Sequence, residues 1–358
     1  MHKKLLWLIF ILLAFGLIIL SSAGLIDGQK KFNSSYYYLF HQLEFGVLPG
    51  LVFMFALSRL NYKHFRKISL LLLFLALFLM ILVFVPSLGQ GLKGATRWLN
   101  MGGITFQPSE FLKLAMVIYL AAWFGGRDER IKNWVYGMAP FFIIMAFVTL
   151  LLVLQPDIGT LIVVMLIAGG VYFFAGIKFK QFLIIMLAVS AILTALVVLE
   201  PYRFNRIKAF INPSVDPRGI SYQINQSFIS IGSGGVFGLG FGNSRQKFGF
   251  LPEVAGDSIF AVIAEELGFI GSAFTIGLFV ILCLILIKIA KNAPDKFSSL
   301  LVMGINMWIM SQTFVNIAAI SGLAPLTGIP LPFVSYGGTA IISLLGGLGI
   351  VLSVAKRS

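Results

Sequence analysis

Glu265 and Glu266 sit side by side about two turns inside an apolar run, 258–287, and Lys113 lies inside another, 108–125. An ionisable group in hydrocarbon costs at least ~2.5 kcal/mol unless it is paired, hydrated or turned toward a cavity. Paired carboxylates beside a cation can bind a phosphate-bearing ligand, hold a hard divalent cation, or take a proton from an attacking hydroxyl. Glu110 lies three residues before Lys113 on the same helical face, so it can serve as an internal counter-ion. After Gln107-Pro108-Ser109 it also fits the ordinary chemistry of a helix's first turn. Asp257 stands immediately before 258–287 and Asp157 immediately before 158–176, where an N-cap is a sufficient local explanation for each. For Asp257 the spacing leaves base, metal ligand and cap all open.

The elements that position these residues are membrane spans. With 358 residues, 59% hydrophobic and only 11% charged, the chain cannot cover a water-facing shell. Runs such as 70–85 and 182–199 are apolar throughout, without the alternation of a membrane β-strand, so helices do the spanning. A ~19-residue window places ten spans: 5–23, 45–58, 68–85, 108–125, 134–154, 158–176, 182–199, 258–287, 298–321 and 335–355. The expected fold class is an all-α polytopic membrane protein, one domain over 1–358, with a long extracellular segment, 200–257. The first span ends at Ser21-Ser22-Ala23, but its length and the spans after it point to an uncleaved anchor.

The formal charge of +14 would suggest nucleic acid for a soluble protein; here it is a topology signal, and no nucleic-acid partner is expected. Lys3, Lys4, Arg59, Lys63, Arg66, Lys67, Arg127, Arg130, Lys132, Lys178, Lys180, Lys288, Lys291, Lys296, Lys356 and Arg357 all fall on one side if both termini are cytoplasmic. Lys30, Lys31, Lys93 and Arg97 are the basic residues of the short outer loops. Among the acids only Asp128, Glu129 and Asp295 lie on the basic side, so chemistry is expected at the outer face. Cys283 is the single cysteine, and no disulfide can order the outer loops.

Three outer segments carry the remaining signals. Residues 86–113 read as a glycine-rich loop entering the fourth span. In 200–257, Ile220, Ile224, Phe228 and Ile231 share one face of an interfacial amphipathic helix, followed by Gly232, Gly234, Gly235, Gly238, Gly240 and Gly242. No strand or G-K-S/T ending supports a nucleotide loop, so close backbone approach explains these glycines better. Before the last span, Pro325, Pro330 and Pro332 prevent continuous helix and imply an extended or re-entrant stretch beside a cavity.

Taken in order, RWLNMGGITFQPSEFLKLA, LQPDIGT, LPEVAGDSIFAVIAEELGFIG and PLTGIPLPFVSYGG resemble the SEDS proteins (shape, elongation, division and sporulation: FtsW, RodA, SpoVE) across essentially the whole chain. GFGNSRQKFGFLPE is more similar to the FtsW division branch. The resemblance implies a peptidoglycan glycosyltransferase that polymerises lipid II at the outer face of the bacterial cytoplasmic membrane, with a class B penicillin-binding protein and other division or elongation proteins as partners. It also implies that Asp257 is the essential catalytic residue and that Glu110, Lys113, Trp98 and Glu265 occupy family motif positions; Glu253 and Ser335 lie in the same motifs. One departure is Val254-Ala255-Gly256 with Ser258 around the aspartate, where the family more often has Ala-His-Thr and Phe; a neighbouring histidine's role does not carry over.

Glycosyl transfer from a lipid pyrophosphate needs a base on the acceptor hydroxyl and positive charge on the leaving group. Asp257 is the expected base or metal ligand, with Lys113 and Arg97, or a divalent cation such as Mg²⁺ or Mn²⁺, for the pyrophosphate. No cofactor is otherwise implied. A lipid II flippase and a non-catalytic division scaffold are the competing classes. Against the first, the charges gather on one side instead of along a path; the second leaves Lys113 and Glu265 without a reason to be in the membrane.

Overall fold

The computed structural model describes residues 1–92, 95–102, 104–126, 139–176, 187 and 201–357. Helix α1 spans His2–Ala23, and α2 (Leu25–Phe32) lies across its end. Helix α3 (Tyr37–Gln42) runs through a π turn at Leu43–Val47 into α4 (Leu48–Arg59), together a 23-residue span. Asn61 caps α5 (Tyr62–Leu82) by accepting from the Lys63 N–H. Next come α6 (Pro108–Phe124), α7 (Ala139–Leu154) and α8 (Ile158–Phe174). Beyond them lie α9 (Pro201–Ile211), α10 (Tyr222–Gly234), α11 (Ile259–Lys291), α12 (Lys296–Ile320) and α13 (Gly338–Ala355). Nine of the ten expected spans thus have helices within a few residues of their expected bounds; 182–199 lies outside the described residues, apart from Leu187.

Helices α12 and α13 form the centre, and the outer helices turn Trp7, Leu71 and Phe74 outward, as lipid-facing side chains do. Gly346 and Gly349 of α13 lie against Phe53 and Met54 of α4, the close helix approach that small residues allow in membranes. The bundle is polarised. At one end Lys356 reaches Ser58, Arg357 reaches the Leu60 carbonyl, and Asn292 meets Met1, so both termini share the end that carries the basic clusters. Asp257 and the proline-rich loop lie at the opposite end of α11 and α12.

Two outer segments differ from their sequence reading. The glycine-rich loop is an antiparallel meander, β1 (Gly89–Leu92), β2 (Ala95–Met101) and β3 (Ile104–Phe106), in the order β1-β2-β3. The segment alternates too briefly to register against the many glycines. Helix α10 forms where expected, but its docked face mixes the two kinds: Ile224, Ser227 and Ser230 are buried and Ile231 packs on the core, whereas Phe228 is exposed. In lipid an apolar face needs no protein partner, while the serines do need hydrogen bonds.

The glycine cluster behaves as expected. Helix α11 is broken at Gly268 (φ 67°, ψ −161°), and the 235–240 segment runs alongside the break. Leu239 and Gly240 donate their N–H groups to the Glu265 and Glu266 carbonyls, and Phe269 donates to Gly235. A Cβ at Gly234 would overlap the Ala264 carbonyl, and one at Gly238 the Glu266 carbonyl, so only glycine permits this contact.

Candidate functional site

Asp257 is not a helix cap. Helix α11 starts at Ile259 with Ser258 at the cap position and no side-chain cap bond. The partly buried carboxylate instead receives a hydrogen bond at 3.3 Å from Gln223 of α10, whose amide also reaches Ser258. The Asp257 carbonyl accepts from Asn316 of α12 at 2.8 Å. The same Asn316 amide nitrogen donates at 2.7 Å to the carbonyl of Ile329. One buried side chain therefore ties the backbone of the catalytic candidate to the proline-rich loop.

That loop passes directly over the carboxylate. Gly328 has φ +71°, and a Cβ there would lie 3.7 Å from Asp257 Oδ2. Ser335 fixes the far side: its hydroxyl donates to the Gly256 carbonyl at 2.6 Å and accepts from the Leu331 N–H at 2.8 Å. Tyr336 N–H donates to the Ala255 carbonyl. The Tyr336 hydroxyl lies 2.9 Å from His41 Nδ1, and burial pushes its pKa up. Glu253 (φ 51°) and Phe333 (φ 64°) are both left-handed, so backbone strain falls on the two loops that meet here.

Lys113 is buried and takes Glu110 as its internal counter-ion, as their spacing allowed. Its residue exposure is 1%, and its ammonium donates to Glu110 Oε1 and Gln312 Oε1, each at 2.8 Å, 5.3 Å from the Trp308 ring centre. Gln312 in turn donates to the Pro330 carbonyl at 2.9 Å. A buried ammonium must be neutralised where it lies, and Glu110 does so three residues away. Lys113 and Asp257 are linked through Gln312 and Asn316, one turn apart on α12. A small cavity lined by Glu110, Trp308, Gln312, Pro330 and Ser335 separates the ion pair from the loop.

Glu265, the family motif position inside α11, is bonded to the glycine-rich loop and to α10. It accepts from the hydroxyls of Ser230 (2.8 Å) and Ser244 (2.6 Å) and from the Arg245 and Gln246 N–H groups. Glu266 pairs with buried Lys247 at 2.8 Å, and both touch Ser22 of α1. Arg97 holds the turn between α7 and α8 through the Gln155 and Pro156 carbonyls and lies 3.7 Å from Asp157. Asp157 caps α8 at Thr160, as expected. Trp98 is half-buried on β2, paired in register with Gln90, and Glu253 is exposed beside the Asp257 loop. Ser335 and Asp257 are therefore brought together; Lys113 and Glu110 form a support below them, and Glu265 a second one.

Sequence reasoning missed Gln223, Gln312, Asn316 and Arg206. The spacing of Gln312 and Asn316, four apart in an apolar span, was the available signal. Arg206 of α9, lost among the basic residues of the long segment, donates to the Leu326 carbonyl at 2.8 Å and so borders the same loop. No three His, Cys, Asp or Glu side chains converge among the described residues. A protein-only metal cage is thus not formed by them; a hard cation at Asp257 would take most of its oxygens from a ligand.

The family model described as "Cell cycle protein" (FtsW, RodA, SpoVE) matches residues 3–358. Stage V sporulation protein E of Bacillus subtilis is 38% identical over 97% of this chain and 95% of its own. A probable peptidoglycan glycosyltransferase FtsW of Trichlorobacter lovleyi is 38% identical over 98% and 92%. Among solved structures, a chain of a peptidoglycan synthase complex that coordinates polymerization and crosslinking superposes with TM-score 0.82 at 29% identity, covering 99% of this chain and 97% of that one. The Thermus thermophilus rod shape determining protein RodA gives 0.73 at 28%, covering 99% and 96%.

Proposed function

This chain belongs to the FtsW/RodA/SpoVE family of cell cycle proteins, and we infer that it is a multi-pass membrane peptidoglycan glycosyltransferase that polymerises lipid II with Asp257 as its catalytic carboxylate. The observation that carries the assignment is the setting of Asp257. It caps no helix, yet three elements, α10, α12 and the proline-rich loop, converge to fix it at the end of the bundle away from the basic clusters. By the distribution of positive charge that end is extracytoplasmic, where lipid II's sugars are exposed.

In the reaction an acceptor sugar hydroxyl attacks the anomeric carbon of the lipid-linked donor. The new C–O bond forms as the bond to pyrophosphate breaks, and the hydroxyl proton passes to Asp257. Undecaprenyl pyrophosphate leaves with the bonding electron pair. Gln223 and the Asn316-held backbone orient the carboxylate, which costs no reorganisation during reaction. Arg206, bordering the loop above Asp257, supplies positive charge for the leaving group, a role its fixed guanidinium suits better than the sealed Lys113. A Mg²⁺ or Mn²⁺ ion would be held by Asp257 and the substrate's phosphates and would act as a charge clamp. A class B penicillin-binding protein is the partner, and division the setting, that this reading favours.

The test is Asp257→Asn, purified with the partner and given labelled lipid II. General-base removal typically costs ~10²–10⁴-fold, and a loss in that range is expected with thermal stability kept. Normal glycan synthesis by the variant removes Asp257 from the mechanism, and lipid II scrambling by it in liposomes would move the protein to the transporter class.

A further inference from the structure

At the opposite end of the molecule three cations surround a cavity the reaction does not use. Lys63, Arg66 and Lys67 open α5 at relative positions 0, +3 and +4 and therefore share one face. With Asp295 and Phe297 they line a cavity of about 620 Å³, within the range of small-ligand sites. Lys63, Arg66 and Lys67 form no ion pair among the described residues. Asp295, the acidic group of the lining, has its oxygens committed elsewhere: Oδ2 accepts from the Tyr62 hydroxyl at 2.7 Å, and Oδ1 accepts from the Ser298 N–H at 2.9 Å, closing a capping box on α12. The N-termini of α5 and α12 both meet here, adding their partial positive charges. The Phe297 ring, with Arg66 at 6.0 Å from its centre, gives the cavity an apolar wall.

The face continues into an apolar track. One turn up α5 from Arg66 and Lys67 stand Leu70 and Leu71, then Phe74 and Phe78, exposed by 49%, 67%, 60% and 57%. A soluble phosphate or an acidic peptide would have no use for such a track; a lipid would lay an acyl chain along it while its phosphate sat among the cations. Basic pockets at the cytoplasmic ends of spans are suited to anionic headgroups. We propose that Lys63, Arg66 and Lys67 form a binding site for the phosphate of an anionic phospholipid of the inner leaflet, with its chain packed on Leu70, Leu71 and Phe74.

The test uses the full chain in vesicles of dioleoylphosphatidylcholine alone or with phosphatidylglycerol, solubilised and analysed by native mass spectrometry for retained lipid. The wild type retains phosphatidylglycerol in preference to phosphatidylcholine. Each neutralised cation weakens retention by about fivefold, and Lys63→Gln/Arg66→Gln/Lys67→Gln by about a hundredfold. Lys288→Gln/Lys291→Gln, basic residues outside the cavity, leaves the preference in place. Because the three cations are exposed, the triple variant keeps its melting temperature in phosphatidylcholine; should it not, the fivefold loss in Lys67→Gln alone carries the test. Equal loss in the control pair, no headgroup preference, or displacement of the lipid by inorganic phosphate each overturns the proposal, the last in favour of a soluble phosphate ligand.

Discussion

Lys113 is fully buried against Glu110 and Gln312, and its removal separates support from substrate contact. In Lys113→Ala the Glu110 carboxylate stays buried without its cation. Among the described residues its Oε2 already lacks a hydrogen-bond partner, and Gln312 Oε1 keeps only the Trp308 N–H. Breaking one side of a buried pair costs about 3–5 kcal/mol, a fall in Tm on the order of 10 °C for a chain of this size. Thermal unfolding in detergent reads this directly. The double variant Lys113→Met/Glu110→Gln removes both charges with little change in volume and recovers most of the stability, because the desolvation penalty disappears with the pair. If Lys113 acts only through Gln312 on the Pro330 carbonyl, polymerisation recovers with it. A double variant of wild-type Tm that makes no glycan would mean that the ammonium touches the pyrophosphate. A Lys113→Ala protein of unchanged Tm would refute the buried pair itself.

Two further outcomes follow from the same geometry. Asn316→Ala releases the Asp257 and Ile329 carbonyls together, and a shift of the carboxylate by about 1 Å costs on the order of 10²-fold; kcat for lipid II falls while KM stays within about twofold, and in an Asp257→Asn background Asn316→Ala produces no further loss because it acts through that carboxylate. Asp295 titrates below its ordinary value: burial opposes this, but the Ser298 N–H and the Tyr62 hydroxyl outweigh it. A lowered folded pKa means stability that is present above the unfolded value of 3.8 and lost as pH falls through the folded one. The Tm advantage of the wild type over Asp295→Asn is therefore full at pH 6 and closes toward pH 3.

The spans were legible because a hydrophobic run in lipid has one structural solution, and the glycine cluster because only close backbone approach explains so many glycines together. The docked face of α10 was not, since the rule that apolar faces turn inward belongs to water; Ser230 turns inward because Glu265 is there to be bonded. Nor could spacing reveal which buried charges face the substrate. Glu265, Glu266 and Lys113 all break an apolar run in the same way, and they differ only in what the tertiary fold brings to them. Spacing alone left cap, base and metal ligand open for Asp257, and its exclusion from the cap depends on where α11 begins.

Why the membrane holds so many buried charges follows from the loops they support. Loops cannot be ordered in lipid by burying apolar surface, because the surroundings are as apolar as the protein. Hydrogen bonds to ionised groups are strong there and directional. Lys113 fixes Gln312, which holds the proline-rich loop at Pro330; Glu265 holds the glycine-rich segment at Ser244 and Arg245, and Lys247 joins it to Glu266 and to α1. Asp257 lies two residues before the helix whose second turn carries Glu265 and Glu266, and it lies under the loop that Lys113 supports. The two buried ion pairs thus bracket one partly buried carboxylate, each setting a different wall around it. On the proposed function, the placement of Asp257 is a property of charges two residues removed from it.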